Sequence, residues 1–482
     1  MPRIVVGPFN RVEGDLEVTL DTARGKVRAA YVNAPLYRGF EQILQGREPM
    51  DALTLAPRIC GICSVSQSVA AAFALADAMG LAAPENGRLA TNLILANENV
   101  ADHFTHFYLF FMPDFARENY RGRAWFPAVE KRFKAMRGEA AFEAAAARAA
   151  FLHLMGYLAG KWPHTLSIQP GGSARGVDEA EKARLHVVLR QFRHYLESRL
   201  FGAPLETVAA LDGEKALDRW RGEGDAGGSD FALFLQAADD LELERYGRAT
   251  DRFLSYGNYP LAEGRMFPPG VWHRGLQALD IAAITEDVSH SRLGGVPAQL
   301  PPAEGVTLPQ ADKEAAYTWC KAPRLAGEVA ETGALARQLV AGHALIRELV
   351  ATSGGNVRNR VIARLLETAR VLIAMEDWVR ALKPGAPFCH HGSMPAEARG
   401  VGLAEAARGS LGHWLHVYKG RILNYQIISP TTWNFSPRDA QGTPGALEQA
   451  LVGTPVAQGD EDPLLVQHIV RSFDPCMVCT VH

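Results

Sequence analysis

The chain has 482 residues, of which 48% are hydrophobic and 21% are charged. This ordinary globular composition argues against disorder. A formal net charge of -3 argues against a nucleic-acid partner, because there is no basic excess to bind a polyanion. No apolar run approaches the roughly 18 residues that a membrane span requires. The amino terminus also lacks the pattern of a secretory signal, so we expect a cytoplasmic protein unless a partner carries an export signal.

The amino-terminal region, residues 1–35, predicts a small sheet. Its stretches RIVVGPF, LEVTLD and KVRAAYV are rich in β-branched residues, and a turn at residues 22–25 separates the last two. From about Met50 the apolar period becomes helical. We predict helices at residues 64–79, 89–111, 140–160, 179–200, 327–352 and 357–382, of which the last two are long and amphipathic.

Proline and glycine are frequent between residues 256 and 310, which predicts irregular connections there. Strands are predicted again in HWLHVYKGRILNYQIIS, on either side of a turn at Lys419 and Gly420, and a helical segment follows near the carboxy terminus. The predicted fold class is therefore α+β and mainly helical, with a central bundle of long helices and small peripheral sheets. We expect one domain over residues 1–482, made of a β region 1–35, a helical region 50–383 and a β and helical region 408–482.

Four of the six cysteines form two Cys-x-x-Cys pairs near opposite ends of the chain, Cys60 with Cys63 and Cys476 with Cys479. Soft thiolates in this arrangement select soft or borderline ions such as zinc, nickel or the iron of iron–sulfur clusters. The first pair lies at or just before the start of a predicted apolar helix, where the helix dipole favours thiolates. The two pairs together therefore predict a thiolate metal site.

A structural zinc site is the most common use of two such pairs. Zinc sites of that kind usually lie in polar turns of one small module, whereas these pairs are far apart and the first borders an apolar helix. A deeply buried site suits chemistry better than cross-linking. The other two cysteines, Cys320 and Cys389, have no Cys-x-x-Cys partner and are predicted to be buried thiols in a reduced compartment.

The motif R-x-C-G-x-C at residues 58–63, together with D-P-C-x-x-C-x-x-H at residues 474–482, resembles the signature pair of the large subunit of [NiFe]-hydrogenases. Further motifs extend the resemblance along most of the chain: RVEGD at 11–15, YRGFEQILQGR at 37–47, ADHFTHFY at 101–108, ARGSLGHW at 407–414 and NYQIISPTTWN at 424–434. The resemblance implies the fold of that subunit and a catalytic role in splitting dihydrogen heterolytically into protons and electrons.

The resemblance also implies how the metals are held. All four cysteines would bind nickel, and Cys63 and Cys479 would also bridge to an iron that carries carbon monoxide and cyanide ligands. Soft, electron-rich thiolates suit this role. The hydroxyl of Thr431 would donate to an iron cyanide. A polar canopy over the open metal position would consist of three residues, Asp102, Arg408 and Asp474.

Proton transfer is implied for Glu13, which matches the carboxylate that passes protons from a nickel thiolate towards solvent. The first proton acceptor stays open between the thiolate of Cys476, the thiolate of Cys60 and the guanidine of Arg408. Without the resemblance, Glu13 would be an exposed strand residue and the canopy carboxylates would be helix caps or surface charges.

A magnesium site is implied by Glu41, the terminal His482 and the backbone carbonyl of Ile427, which match family ligands of that ion. The alternative for His482 is a mobile chain end. His103 and His106 lie three residues apart on one helical face and could suggest a further metal site. We interpret them as core histidines or as residues that support the metal ligands.

Three residues depart from the commonest family pattern. Gln67 stands where energy-converting members have a histidine, Asp15 replaces a histidine, and Ala407 replaces a proline before the canopy arginine. The CGICSVSQ stretch and the chain end at His482 resemble the regulatory, hydrogen-sensing branch of the family. That branch implies a signalling partner, typically a histidine kinase.

We therefore expect the catalytic subunit of a heterodimeric hydrogenase that acts as a sensor of dihydrogen and controls hydrogenase gene expression. A respiratory uptake hydrogenase is the alternative, and a non-catalytic scaffold with a four-cysteine zinc site is the alternative from another class. Beyond the two pairs the chain has only Cys320 and Cys389, which cannot provide the four ligands of an iron–sulfur cluster, so an iron–sulfur small subunit must carry the electrons. Maturation proteins are expected to assemble the site.

Overall fold

The computed structural model describes residues 3–295, 298–457, 459–460 and 462–482. An antiparallel sheet of three strands begins the chain, formed in this order by Arg3–Val6, Glu17–Ala23 and Lys26–Asn33. Val18 and Leu20 of the middle strand are buried, because alternate side chains of a strand point to the same face. The predicted amino-terminal sheet is confirmed.

Long helices form the centre of the molecule: Ser64–Met79, Glu85–Thr105, Glu179–Tyr195 and Val357–Ala381. The helix Val357–Ala381 packs against both Glu85–Thr105 and Glu179–Tyr195. Two of the predicted helices continue past their α-helical parts as π-helical turns, His106–Phe111 and Leu196–Phe201. The predicted helix at 140–160 is two helices, Glu139–Phe151 and His153–Ala159. The predicted central bundle of long helices is confirmed.

The helix predicted at residues 327–352 is wrong in its extent. This stretch contains a short strand, Glu331–Thr332, and then two helices, Ala334–Val340 and Ala344–Ser353. Gly333 has φ 139° and Gly342 has φ 84°, in the region that favours glycine, and the backbone turns at both positions. The apolar period continues across the break because both helices bury residues in the same core.

A second antiparallel sheet lies directly on the helix Ser64–Met79. Its strands, in order, are Ala398–Ala406, Gly409–Tyr418 and Arg421–Ile428. The last two confirm the predicted strands around Lys419 and Gly420, whereas the first was not predicted because it is rich in alanine and glycine. A Cβ at Gly402 would collide with the carbonyl oxygen of Ala70 on the helix, so glycine permits this close approach.

Short elements complete the chain. The shorter α-helices are Phe40–Leu44, Ala52–Leu55, Phe126–Phe133, Leu205–Ala209, Glu214–Arg221, Asp230–Asp240, Pro430–Asn434, Ala446–Leu451, Leu464–Ser472 and Met477–Thr480. The shorter strands are Ile168–Gln169, Gly172–Ser173, Phe253–Ser255, Asn258–Pro260, Arg265–Phe267, Gly270–Trp272, Leu276–Gln277, Ile284–Asp287, Leu293–Gly294, Gln299–Leu300, Leu308–Pro309 and Ala322–Leu325. The short strands interrupt the irregular stretch predicted at 256–310, of which residues 296–297 lie outside the described residues.

Both ends of the chain enter the same hydrophobic core. This core includes Leu16 near the amino terminus, Leu93 and Leu366 from the long helices, and Val481 near the carboxy terminus. Among the helices that the structure describes, none combines the length and the apolar character that a membrane span requires.

Candidate metal centre

Both cysteine pairs lie at the amino ends of helices. Cys63 is the N-cap residue of Ser64–Met79, and Cys60 directly follows a 3-10 turn. Cys476 is the N-cap residue of the short helix Met477–Thr480, which contains Cys479. The predicted position of the first pair at a helix start is confirmed.

The fold brings all four thiols together in one buried cluster. Their sulfur atoms lie within 4.8 Å of one another. The Cys63 and Cys479 sulfurs are 2.9 Å apart, those of Cys476 and Cys479 are 3.0 Å apart, and those of Cys60 and Cys476 are 3.6 Å apart. Within the described ranges, this is the group of histidine, cysteine and acidic residues whose ligand atoms are close enough to hold a metal ion.

The electrostatics of this cluster fit a bound transition metal. Hydrogen bonds from neighbouring thiols hold the pKa of Cys60 well below its usual value, whereas burial raises the pKa of Cys476 and of Cys479. The four sulfurs therefore cannot all be anionic on their own, since like charges in a buried site repel strongly. A soft cation bound by all four would stabilise four thiolates at once.

The carboxylate of Glu98 caps the helix that starts after Cys63. It accepts hydrogen bonds from the backbone N–H groups of Val65 at 2.8 Å and Ser66 at 2.9 Å, and from the indole N–H of Trp162 at 3.0 Å. Burial, reinforced by nearby Asp102, raises the pKa of Glu98 to about 8. Sequence reasoning missed this residue, because a cap from a distant helix leaves no local pattern.

The three canopy residues meet as one buried ion-pair group. The Arg408 guanidinium donates from Nη1 to Asp102 at 2.8 Å and from Nη2 to Asp474 at 3.3 Å. Burial raises the pKa of Asp102 to about 7, although Arg408 opposes this shift. Arg408 Nε and Asp474 Oδ2 are buried and have no hydrogen-bond partner in the described part of the chain. The alternative of helix caps or surface charges is wrong for both carboxylates.

Thr431 lies against the second cysteine pair. Its hydroxyl oxygen accepts a hydrogen bond of 3.1 Å from the backbone N–H of Cys476. The hydroxyl hydrogen is therefore not used in that contact and can be donated elsewhere.

The backbone of Glu13 lies beside the backbone of Cys476. Its backbone N–H donates to the carbonyl of Pro475 at 3.4 Å, and its carbonyl accepts from the N–H of Met477 at 2.7 Å. The side chain is half-buried, and burial, followed by the charge of Cys60, raises the pKa of Glu13. The alternative of an exposed strand residue is wrong, because Glu13 lies outside the sheet and forms an isolated bridge with Cys476.

Glu41 and His482 lie in contact, and both are buried. His482 Nδ1 donates to the carbonyl of Cys479 at 3.0 Å, while its Nε2 lies 3.1 Å from Glu41 Oε1. Since Nδ1 carries the proton, Nε2 can face a carboxylate favourably only if it is also protonated or if a cation is shared. The last residue is thus held in place, and the alternative of a mobile chain end is wrong for this structure.

A buried lysine, Lys321, pairs with Glu41 and Glu286, and the sequence did not predict this contact. Lys321 Nζ donates to Glu41 Oε2 at 2.9 Å, to Gln426 Oε1 at 2.8 Å and to Glu286 Oε2 at 3.4 Å. Burial would raise the pKa of Glu41, but Lys321 and His482 hold it below its usual value. The second carboxylate oxygen of Glu286 is buried and has no hydrogen-bond partner among the described residues, which leaves an acceptor for a water or an ion.

Ile427 contacts Glu41 through its backbone N–H, whereas the predicted magnesium ligand is its carbonyl. Its N–H donates to Glu41 Oε1 at 2.8 Å. Ile427 is therefore close to the candidate magnesium ligands, and ligation through its carbonyl stays a prediction.

The remaining candidates lie apart from the cysteine cluster. His103 Nε2 is 3.0 Å from Glu367 and His106 Nε2 is 2.7 Å from the carbonyl of Arg471, which confirms both as core histidines. Cys320 is fully buried, as predicted. The prediction for Cys389 is wrong, because it lies half-exposed in an irregular segment that forms only an isolated bridge.

Gln67 hydrogen-bonds to a histidine of the second sheet. His413 Nε2 lies 2.8 Å from Gln67 Oε1, and His413 Nδ1 lies 2.8 Å from the Tyr425 hydroxyl. Burial lowers the pKa of His413 to about 3, so the imidazole is neutral and one of its nitrogens donates while the other accepts.

The chain is similar over its whole length to proteins of one kind. The profile of the family described as "Nickel-dependent hydrogenase" matches residues 38–117 and 230–482. The periplasmic [NiFeSe] hydrogenase large subunit of Desulfomicrobium baculatum is 29% identical over 100% of this chain and 95% of that relative. The uptake hydrogenase large subunit of Azotobacter chroococcum mcd 1 is also 29% identical, with the same coverage. The reduced Ni-Fe-Se hydrogenase of D. vulgaris Hildenborough superposes with a TM-score of 0.84, at 29% identity and 100% coverage of both chains.

A buried cluster of four thiols, with an arginine and two carboxylates nearby, fits an enzyme built around a thiolate-bound transition metal. With the family profile matched over more than half of its length, the chain belongs to the nickel-dependent hydrogenases. It is the large, catalytic subunit of an oxidoreductase that acts on dihydrogen, and the predicted fold class is confirmed. The alternative of a zinc scaffold finds no support in these relatives.

Proposed function

We propose that this chain oxidises dihydrogen as the catalytic subunit of a heterodimer, at a nickel–iron centre held by its four cysteines. The observation that carries the proposal is the buried four-thiol cluster. Cys60, Cys63, Cys476 and Cys479 would hold nickel. Cys63 and Cys479, whose sulfurs lie 2.9 Å apart, would also bridge to iron. When bound, the metals supply Lewis acidity towards dihydrogen and accept its electrons.

The protein groups around the centre would receive and remove the proton. The candidate acceptors are the thiolates of Cys476 and Cys60 and the guanidine of Arg408. Glu13 lies beside Cys476 along the backbone, and its raised pKa suits a carboxylate that alternately binds and releases a proton. Asp102 and Asp474 hold Arg408 over the cluster and keep it charged. We assign Glu13 the transfer of protons towards solvent.

The iron ligands and the magnesium ion are part of the proposal. The hydroxyl hydrogen of Thr431 is not used in the bond with Cys476, which supports a donor role towards an iron-bound cyanide, alongside carbon monoxide. Glu41 and His482 would hold Mg²⁺, with the carbonyl of Ile427 as a third ligand. The shared carboxylate and imidazole support a cation there. The test is magnesium analysis of wild type and of Glu41→Gln, in which the metal should be lost.

An iron–sulfur small subunit would carry the electrons away. Four of the six cysteines are in the cluster, and Cys320 and Cys389 are too few to hold a separate iron–sulfur cluster. The matched relatives are named as large subunits or large chains, which supports a partner subunit. Maturation proteins would insert the metals. A cytoplasmic location is proposed, and cell fractionation tests it, since one relative is named as periplasmic.

Uptake of dihydrogen is the role that the comparisons support best, because one relative is named as an uptake hydrogenase. Sensing of dihydrogen, with a histidine kinase as partner, is the second candidate. It rests on Gln67, an amide that cannot titrate, in place of the histidine of energy-converting members. Turnover with an artificial acceptor and a hydrogen-responsive reporter gene in a deletion strain separate the two roles.

The proposed function is tested on the complex purified from its native maturation background. Nickel and iron should be present, dye reduction should depend on dihydrogen, and infrared bands of carbon monoxide and cyanide should shift under dihydrogen. Zinc without nickel in this protein would overturn the proposal.

A further inference from the structure

The turn that carries Arg408 is held from behind by a second buried arginine. Arg408 lies in the tight connection between the strands Ala398–Ala406 and Gly409–Tyr418. Arg337 Nη1 donates to the carbonyl of Ala406 at 2.8 Å, and its Nη2 donates to the carbonyl of Ala407 at 2.9 Å. These are the two carbonyls that directly precede Arg408.

Arg337 is itself fully oriented by two buried carboxylates. Its Nη1 donates to Glu405 at 2.7 Å, its Nη2 to Glu367 at 2.7 Å and its Nε to Glu367 at 3.0 Å. All five N–H groups of the guanidinium are therefore used. Arg337 and both carboxylates are buried from solvent. The planar guanidinium of Arg337 can take only this orientation without leaving a buried polar group unpaired.

Glu367 also bonds to a residue next to Asp102, the canopy carboxylate that pairs with Arg408. Glu367 accepts from His103 Nε2 at 3.0 Å, and His103 directly follows Asp102 in the helix Glu85–Thr105. Glu367 thus links the backbone next to Asp102 with the arginine behind Arg408. Both members of the Asp102–Arg408 ion pair are held by one buried network.

We propose that Arg337 and Glu367 are positioning residues that fix Arg408 against Asp102 over the metal cluster. The kcat measurement that tests this inference depends on the proposed function, whereas the position of the turn does not. Burying an ion pair of this kind contributes little net stability compared with apolar residues of the same volume. The network does determine where the turn lies, and Ala407 lacks the ring that a proline would provide to restrain it.

The test compares Arg337→Lys with a matched control. Lysine keeps the charge but has a compact head that cannot reach both carbonyls and both carboxylates. Arg324→Lys is the control, because Arg324 is equally buried and bonds to Asp439 and to the carbonyls of Pro437 and Thr443, away from the canopy. Both variants are also made in an Arg408→Lys background, as a double-mutant cycle.

If the proposal is right, Arg337→Lys in the heterodimer lowers kcat about 10²-fold, the cost of a misplaced group, with the apparent KM for dihydrogen within about twofold. In the Arg408→Lys background the same change costs less than about threefold, because Arg408 is no longer there to be positioned. Amide exchange of residues 404–411 becomes faster, while that of the helix Val357–Ala381 does not change. Arg324→Lys leaves kcat and this exchange unchanged.

The proposal is overturned if Arg337→Lys keeps the wild-type kcat and the wild-type exchange of residues 404–411. It is equally overturned if the losses in the two backgrounds multiply, since Arg337 would then act independently of Arg408. If Arg337→Lys does not fold, Glu367→Gln replaces it and must show the same coupling to Arg408. Wild type without hydrogen oxidation would refute the proposed function, and the exchange comparison would still decide on the positioning of the turn.

Discussion

The sulfur atoms of Cys63 and Cys479 lie 2.9 Å apart, although 416 positions separate the two residues in the chain. The contact forms because the helix that starts after Cys63 and the short helix around Cys479 meet with their amino ends together. A metal held here would therefore join the two ends of the chain.

Cys479→Ser should abolish nickel binding, because a hydroxyl is a much poorer donor than a thiolate to a soft or borderline metal. Metal analysis of the purified complex measures this loss. Cys389→Ser is the matched control, since Cys389 lies outside the cluster and is half-exposed. Full nickel content in Cys479→Ser would contradict the assignment of this ligand.

Glu13→Gln should lower the rate of hydrogen oxidation by about 10²- to 10⁴-fold, because an amide cannot take up and release the proton. Nickel content should stay the same, since the hydrogen bonds that hold Glu13 beside the second cysteine pair in the described residues come from its backbone. Dye reduction under dihydrogen is the measurement. Glu17→Gln, at a residue whose side chain bonds to Asn33 away from the cluster, should leave the rate unchanged. An undiminished rate in Glu13→Gln would exclude this residue from the proton route.

Asp114→Asn should destabilise the protein by about 3–5 kcal/mol. The amide carries no charge, so Arg471 and Arg11 would lose their buried ion-pair partner. Burial alone would raise the pKa of Asp114, but these arginines lower it overall. Denaturant unfolding at pH 7 measures the difference. Asp377→Asn, in an exposed pair with Arg380, should change stability by less than about 1 kcal/mol.

The stabilisation by Asp114 also has a defined pH dependence. Its pKa in the folded state is lowered, so the contribution is fully present above the unfolded value of about 4 and is lost as the pH falls through the folded value. The stability difference between wild type and Asp114→Asn should therefore shrink only below about pH 4. A difference that grows on acidification would contradict the ion pairs.

Gly402→Ala should lower the melting temperature and reduce the free energy of unfolding by about 1–3 kcal/mol or more. The reason is that the new methyl group would collide with the carbonyl of Ala70. The affected helix begins next to Cys63, so nickel occupancy should fall as well. Gly122→Ala is the control, since a Cβ there meets nothing within 4 Å. Equal melting temperatures for the two variants would show that the sheet and the helix can separate without cost.

Several features followed from local sequence patterns. The helix Ser64–Met79 and the strands around Lys419 and Gly420 were predicted closely, because apolar period and turn residues act over a few positions. The prediction failed at Gly333, where an apolar pattern continued across a break in the helix. Short-range patterns report which residues are buried and do not report every change of chain direction.

The sequence by itself predicted that the two cysteine pairs come together, because thiols at this spacing form a recognisable motif, and its resemblance to a known family implied the grouping of Asp102, Arg408 and Asp474. Only the tertiary structure decided that Glu98 caps the helix after Cys63, that Lys321 pairs with Glu41 and that Arg337 holds the turn before Arg408. These contacts join residues far apart in the chain, and a buried charge selects its partner by three-dimensional proximity. No local spacing along the chain encodes that choice.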